Sequence, residues 1–326
     1  MRKVLAVVSA ALIAISASGC SSAGSNSLIA DAAAIKPACE KYESAANSDA
    51  SKVSVTANKT GAPTIKVNGK LTGSTITTQI VTEGKGLVAT GDQMVHMEYV
   101  GLNGGNSAVF QSSKWDGSDM AGQYLKPGEG LDFCHALSGV AEGSTVAIVV
   151  PAVTAHGGQG IAELKIGPTD PVVFVFKLAK VFLPRAVGAS MPAQSGFPSV
   201  VLATNGEPGI TMLNTEAPAE LKTAVLIQGH GDVLKKGDSV TVHYTGAVWN
   251  SKVTFDSSWD KGEPAQFELK DDALIAGFLE ALVGQKIGSQ IIAVIPPDKG
   301  YGDQVQGEIP ANSTLVFVID ILGVSK

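Results

Sequence analysis

Tyr244-Thr245-Gly246, followed nine residues later by Phe255-Asp256-Ser257-Ser258, has a counterpart 145 residues upstream in Tyr99-Val100-Gly101 and Phe110-Gln111-Ser112-Ser113. The same offset carries Gly61, Pro63 and Ile65 onto Gly206, Pro208 and Ile210, and Gly84 and Gly86 onto Gly229 and Gly231. It also carries Phe133, Ala136, Leu137 and Gly139 onto Phe278, Ala281, Leu282 and Gly284, and Pro151 onto Pro296. Glycines, prolines and aromatics hold special backbone or packing positions, so identities concentrated in them at one spacing point to a duplication. Two domains of one fold are expected, which suits 326 residues at roughly 100 to 200 per domain.

Pro184, Gly188, Pro192 and Gly196 punctuate residues 184–196, which read as a linker. Domain one is then 51–183 and domain two 197–326. In domain two, Val240, Val242 and Tyr244 alternate with Ser239, Thr241 and His243, the period of a half-buried strand. Residues 291–295 and 315–322 are β-rich runs with buried-strand character. Only Asp272 to Val283 reads as helix, with Leu274, Ile275, Phe278 and Leu282 at spacings of three and four. The class is α+β, one short helix against antiparallel strands.

The first residues carry a different message. Arg2 and Lys3 precede a twelve-residue apolar run from Val4 to Ile15, then Ser16-Ala17-Ser18-Gly19 leads to Cys20. That order reads as a secretory signal over 1–19, too short to span a bilayer. Cys20 behind Ala-Ser-Gly resembles the lipidation site of bacterial lipoproteins, with Ala17 departing from the usual Leu; the alternative is plain secretion. Residues 20–50 then form a tether, small and polar at first and, from 28, Ala-rich enough to form a helix. The expected location is extracytoplasmic, with the chain held to the cell membrane by its lipid. There, Cys39 and Cys134 are an even pair for which a disulfide and free thiols are both open.

Composition excludes several classes of function. With 24 basic against 30 acidic residues and no Lys/Arg cluster, no nucleic-acid partner is expected. Gly105-Asn106-Ser107-Ala108-Val109 lacks the second Gly of a nucleophile elbow, and Gly128-Glu129-Gly130 and Gly229-His230-Gly231 lack the third Gly of a dinucleotide loop. His96, His135, His156, His230 and His243 show no metal-ligand spacing, so neither metal nor cofactor is expected. The function has to come from a pocket that needs no nucleophile.

Val242-His243-Tyr244-Thr245-Gly246, Phe255-Asp256-Ser257-Ser258, Leu274-Ile275-Ala276-Gly277-Phe278, Ile295-Pro296-Pro297-Asp298-Lys299-Gly300-Tyr301-Gly302, Ile309-Pro310 and Thr314-Leu315-Val316-Phe317 follow in order. This series, spanning nearly all of domain two, resembles the FKBP-type peptidyl-prolyl cis-trans isomerases. The resemblance implies a bent antiparallel sheet wrapped around one short helix, with an apolar pocket between them that takes X-Pro segments of polypeptides and, in the family, macrolide inhibitors. Carried over by position, Tyr244, Asp256, Ile275 and Tyr301 are the catalytic set, with Phe255, Leu274, Phe278 and Phe317 binding substrate. Asp256 is the polar acceptor, while the Ile275 N–H and Tyr301 hydroxyl are donors to substrate carbonyls. Phe278 stands where the family usually has Trp, Lys261 replaces a frequent Arg, Ala265 an aromatic and Ala273 an acid.

Domain one keeps Tyr99, Phe110, Phe133 and Phe174 but sets Gln111 opposite Asp256 and His156 opposite Tyr301. It is expected to be a degenerate copy, weak or inactive, serving as spacer or holding module. The leading reading is a lipid-anchored isomerase acting on secreted or surface proteins through domain two. The alternative is a non-catalytic extracytoplasmic holdase that grips extended, Pro-containing chains.

Overall fold

The computed structural model describes residues 23–42, 48–128 and 131–325, so Cys20 and the signal segment lie outside the described residues. Domain one contains β1 (Thr77–Thr82), β2 (Gln93–Asn103), β3 (Val109–Ser112), β4 (Ala121–Leu125), β5 (Thr145–Val150) and β6 (Val172–Val181). They form one sheet in the order β1-β5-β6-β2-β3, with β4 also on β2. Domain two contains β7 (Lys222–Gln228), β8 (Ser239–Val248), β9 (Thr254–Ser257), β10 (Ala265–Glu268), β11 (Gln290–Ile295) and β12 (Leu315–Ser325). Its order, β7-β11-β12-β8-β9 with β10 on β8, repeats the first, and Ala189–Ser190 adds an edge to β7.

The duplication extends to irregularities. Register shifts fall between Ile80 and Thr82, His96 and Met97, and Gly101 and Leu102 in domain one. In domain two they fall between Val225 and Ile227, Thr241 and Val242, and Gly246 and Ala247, each 145 residues on. A bulge bends its strand and raises the local twist, so six matched bulges curve both sheets alike.

Each sheet is covered on both faces. In domain two the helix α5 (Ala276–Leu282) sits on one face. The hairpin of Ser199–Leu202 and Pro208–Thr211 belongs to the other, where Val200 and Ile210 pack against Trp249, Ile292, Val294, Val316 and Val318. In domain one the hairpin of Val53–Thr56 and Thr64–Val67 backs Val100, Leu102, Val149, Val173 and Val175 in the same way. This second layer corrects the half-buried reading of β8. Thr241, His243 and Thr245, its polar side, are 2%, 3% and 6% exposed.

The helices also depart from expectation. The stretch from Asp272 yields a helix only from Ala276, because Asp272 has φ +65° and Ile275, the N-cap, is extended at φ −62°, ψ 142°. Nor is it the only helix of its domain. One-turn α4 (Ser258–Lys261) follows β9, capped by the Ser257 hydroxyl accepting from the Asp260 N–H. Domain one has α2 (Phe133–Leu137) and α3 (Ala152–His156). Gly277 explains how closely α5 sits on β11, since a Cβ there would lie 2.3 Å from Ile295 Cγ2.

The segment read as a tether is packed against both domains. After α1 (Ala23–Ala32), Leu28 is buried beside Gly231 and Gly288, and Asp31 lies 2.7 Å from His230 Nδ1. Further on, Cys39 is disulfide-bonded to Cys134 of α2, and the Tyr42 hydroxyl donates to Asp132 at 2.7 Å. The linker is tied down as well, with the Ala186 N–H on Asp320 Oδ2 (2.8 Å) and the Val187 N–H on the Gly288 carbonyl (2.8 Å). Among the described residues no helix is long and apolar enough to cross a membrane.

Candidate active site

The two sides of β8 serve two cavities. Strand alternation sends Tyr244 to the α5 side and His243 to the other. On the α5 side, Gly246 lets aromatic rings approach the strand, for a Cβ there would be 2.7 Å from both Phe255 and Phe317. Phe317 meets Phe278 edge-on at 5.1 Å and Phe255 at 5.6 Å, while Phe267 meets Phe278 at 5.6 Å. Such T-shaped contacts fix ring orientation beyond what area burial does.

These rings bound a cavity of about 640 Å³. All eight residues expected from the sequence line it: Tyr244, Phe255, Asp256, Leu274, Ile275, Phe278, Tyr301 and Phe317. Phe267 also lines it and was not foreseen. Its signal was available, because Ala265, where an aromatic was missed, and Phe267 are two apart on one strand and share a face. Ile275, ahead of the first helical turn, has an N–H that the intrahelical ladder does not consume.

One charged cluster stands at this cavity. The Tyr244 hydroxyl donates to Asp256 Oδ2 at 2.5 Å, and Lys261 Nζ lies 2.5 Å from Asp256 Oδ1 and 5.9 Å from the Tyr244 ring centroid. Burial pushes the Asp256 carboxyl up, but the bonds from Lys261 and Tyr244 outweigh it and hold the group below its ordinary value. Burial and the adjacent carboxylate push the Tyr244 phenol up to about 12. Near neutral pH the cluster is thus a carboxylate, a neutral phenol and an ammonium whose own pKa is raised by its bond to Asp256. Nothing in it is poised as a nucleophile, and among the described residues no group of His, Cys, Asp or Glu could hold a metal ion.

Domain one has the same frame with different contents. The Gln111 amide donates to the Tyr99 hydroxyl at 3.0 Å, reversing the donor and removing the charge. Phe110, Phe133 and Phe174 are grouped as their counterparts are, and Phe176 stacks on Phe174 at 5.6 Å. His156 is taken up by its own loop: Nε2 lies 2.9 Å from the Asp170 carbonyl and Nδ1 accepts from the Gly160 N–H at 3.0 Å.

Residues 231–322 match the family model for FKBP-type peptidyl-prolyl cis-trans isomerase. A probable FK506-binding protein of Corynebacterium glutamicum is 38% identical over 116 residues, 36% of this chain and 97% of that protein. An FK506-binding protein of Streptomyces anulatus is 34% identical over 120 residues, again 36% of this chain and 97% of the relative. A probable FKBP-type peptidyl-prolyl cis-trans isomerase of Haemophilus influenzae is 48% identical over 98 residues, 30% of this chain and 39% of that protein. With relatives matched across nearly their whole length, the chain belongs to the FKBP-type peptidyl-prolyl cis-trans isomerases, and its family sequence lies in domain two.

Proposed function

We propose that catalysis resides in domain two, in the cavity between β8, α5 and the Tyr301 loop, and acts on X-Pro bonds of secreted or surface proteins. The observation that carries this is the arrangement of Tyr244, Asp256, Ile275 and Tyr301 around one aromatic-walled cavity. Planarity of the peptide bond comes from resonance worth a barrier of about 18 to 20 kcal/mol. At the twisted geometry that resonance is lost and the amide is less polar. An apolar, water-poor pocket therefore favours the twisted form over the planar one, which is differential transition-state binding.

Phe255, Phe278 and Phe317 hold the proline ring, with Leu274 beside it. The Ile275 N–H and the Tyr301 hydroxyl donate to carbonyls flanking the bond. Asp256 supplies a polar acceptor and fixes the Tyr244 ring. Moving a tens-of-seconds exchange into milliseconds asks roughly 5 to 8 kcal/mol of this site, within reach of desolvation plus a few hydrogen bonds. No bond is broken, so the site needs no proton shuttle.

The N-terminal reading belongs to the same proposal: Cys20 is acylated and the mature chain works outside the cytoplasm. The Cys39–Cys134 disulfide suits an oxidising compartment. Mass spectrometry of the mature N-terminus tests it, and an unmodified Cys20 peptide refutes it.

A coupled-protease assay on an Ala-Pro tetrapeptide tests catalysis in wild type, Tyr301→Phe and Asp256→Ala. Acceleration by the wild type that falls in both variants is expected. An uncatalysed rate with the wild type would favour the second reading, a holdase that grips Pro-containing chains. The uncharged, aromatic site of domain one is the observation on its side.

A further inference from the structure

The helix α4 that follows β9 is a single turn, Ser258-Trp259-Asp260-Lys261, ended by Gly262 at φ +78°. One turn has no helical stability of its own, because nucleation fixes several dihedrals for one hydrogen bond. Contacts with the rest of the fold have to hold it. The Ser257 hydroxyl caps it, and the buried Ser258 hydroxyl accepts the Tyr244 N–H at 2.8 Å and lies 2.9 Å from His243 Nδ1. Trp259 is its one large apolar side chain. The indole stacks on the His243 ring, centroids 4.0 Å apart and planes 18° apart. Its far edge lies against the turn of the 199–211 hairpin, where a Cβ on Gly206 would be 3.3 Å from Trp259 Cη2. The indole N–H is buried and has no acceptor among the described residues, so ring contacts hold the side chain.

The other side of the turn reaches the isomerase cavity. At about 100° per residue, two helical positions two apart differ by roughly 200°, so Trp259 and Lys261 point to opposite sides of α4. Trp259 goes to the covered back of β8 and Lys261 to Asp256, 2.5 Å from Oδ1, while Asp256 Oδ2 takes the Tyr244 hydroxyl. The Lys261 side chain is 59% exposed. An exposed lysine loses side-chain entropy to hold one geometry, so the pair depends on how firmly the backbone beneath it is fixed. Trp259 itself is not among the residues lining the cavity.

The duplication supplies an internal comparison. At the same offset domain one has Glu98 for His243 and Lys114 for Trp259, so the ring stack has no counterpart, and Gln111 and Asp116 stand where Asp256 and Lys261 are. Residues 113–120 form no helix, and the Glu98 carboxylate takes the Trp115 and Gly117 N–H groups at 3.1 and 2.6 Å. Stack, helical turn and ion pair occur together in one copy and are replaced together in the other.

Building on the assignment of the isomerase site to domain two, we propose that Trp259 is a positioning residue for that reaction. Clamped between His243 and the 199–211 hairpin, it fixes α4 so that Lys261 orients the Asp256 carboxylate and, through it, the Tyr244 ring at the cavity wall.

The test is a double-mutant cycle on the full-length protein with the Ala-Pro tetrapeptide. Trp259→Ala and Lys261→Met are each expected to lower kcat/KM about threefold, the scale of a part-exposed ion pair. Together they should lower it about threefold in total rather than about ninefold, since the first already undoes what the second removes. Trp259→Phe, which keeps a ring for His243, should retain wild-type turnover. Full activity in either single variant, losses that multiply, or a Trp259→Phe as weak as Trp259→Ala overturns the proposal. Circular dichroism checks folding, and Trp259→Leu takes the place of the alanine variant in the cycle if that one unfolds. A second readout needs no turnover: the Cγ NMR resonance of Asp256, assigned by its loss in Asp256→Asn, should move in Trp259→Ala in the direction in which Lys261→Met moves it. An unmoved resonance likewise overturns the proposal. Failure of the wild type to turn over the tetrapeptide would instead remove the isomerase assignment, while the resonance still decides whether Trp259 holds Lys261 on Asp256.

Discussion

His243 and Asp320 are register partners on β8 and β12, 3% and 2% exposed, and burial moves them in opposite directions. The imidazole is pushed down to about 4 from 6.5. The carboxyl is pushed up to about 6 from 3.8, even though the Ala186 N–H (2.8 Å) and the Gln290 amide (2.7 Å) both donate to it. At 1.36 kcal/mol per pK unit each shift is worth about 3 kcal/mol. Their signs differ. For His243 the unfolded chain binds the extra proton, so its contribution is intact above pH 6.5 and is lost as pH falls towards 4. For Asp320 the folded chain binds it, so its contribution is intact below pH 3.8 and is lost as pH rises through 6. Between pH 4 and 6 the two slopes cancel in the wild type. His243→Asn should leave stability falling as pH rises, and Asp320→Asn should leave it climbing. At pH 5 the two variants should differ in slope by roughly 2.4 kcal/mol per pH unit, whatever either substitution does to absolute stability. Urea unfolding followed by the fluorescence of Trp249 and Trp259, at several pH values around 5 and fixed ionic strength, reads it directly. Slopes agreeing within about 0.5 kcal/mol per pH unit would refute the account, because surface carboxylates are common to both variants.

Three further outcomes are expected. Asp256→Ala removes the acceptor of the Tyr244 hydroxyl and the partner of Lys261; kcat/KM on the tetrapeptide should fall about tenfold, or ~1.4 kcal/mol of transition-state stabilisation. Gly246→Ala puts a methyl 2.7 Å from the Phe255 and Phe317 rings, so the urea midpoint should report a loss of about 1 to 3 kcal/mol, with activity falling as the cavity narrows. Cys39→Ser/Cys134→Ser opens a link across 95 residues; chain entropy predicts a loss of about 4 to 5 kcal/mol in domain one, read by Trp115 fluorescence, with a much smaller change in the unfolding of domain two.

The repeat was legible because the residues that carry it are those a backbone cannot replace freely. Gly101 and Gly246 each underlie an aromatic ring that would collide with a Cβ, at 2.6 Å and 2.7 Å. The pocket followed from the same series, since its lining comes from short stretches at strand and helix ends. What escaped notice depends on contacts between segments far apart in sequence. The polar side of β8 looks solvated in a local window, but Trp259, the linker and the hairpin of 199–211 cover that side of the sheet. The start of α5 was misplaced because the apolar spacing runs on through Leu274 and Ile275, whereas the positive φ of Asp272 leaves no trace in it. Likewise the pairing of Cys39 with Cys134 depends on where the segment after α1 lies against domain one, with the Ala38 and Cys39 N–H groups on the Thr90 carbonyl, which two cysteines 95 residues apart do not announce.

The two copies have diverged unevenly. All three bulges of the domain-one sheet sit where domain two has them, and Tyr99 still shares a hydrogen bond with the residue that replaces the aspartate. What changed is charge: Gln111 for Asp256, and Asp116 at the position of Lys261. His156, in the place of Tyr301, bonds within its own loop and has no proton to offer a client through Nδ1, which accepts from Gly160. The aromatic walls are partly redrawn as well: Phe176 adds a ring in stacked contact with Phe174, while Gln123 holds the register place of Phe267. The frame is thus kept in register while its polar groups differ, so the domain-one site keeps aromatic walls and lacks both the carboxylate and the ammonium of domain two.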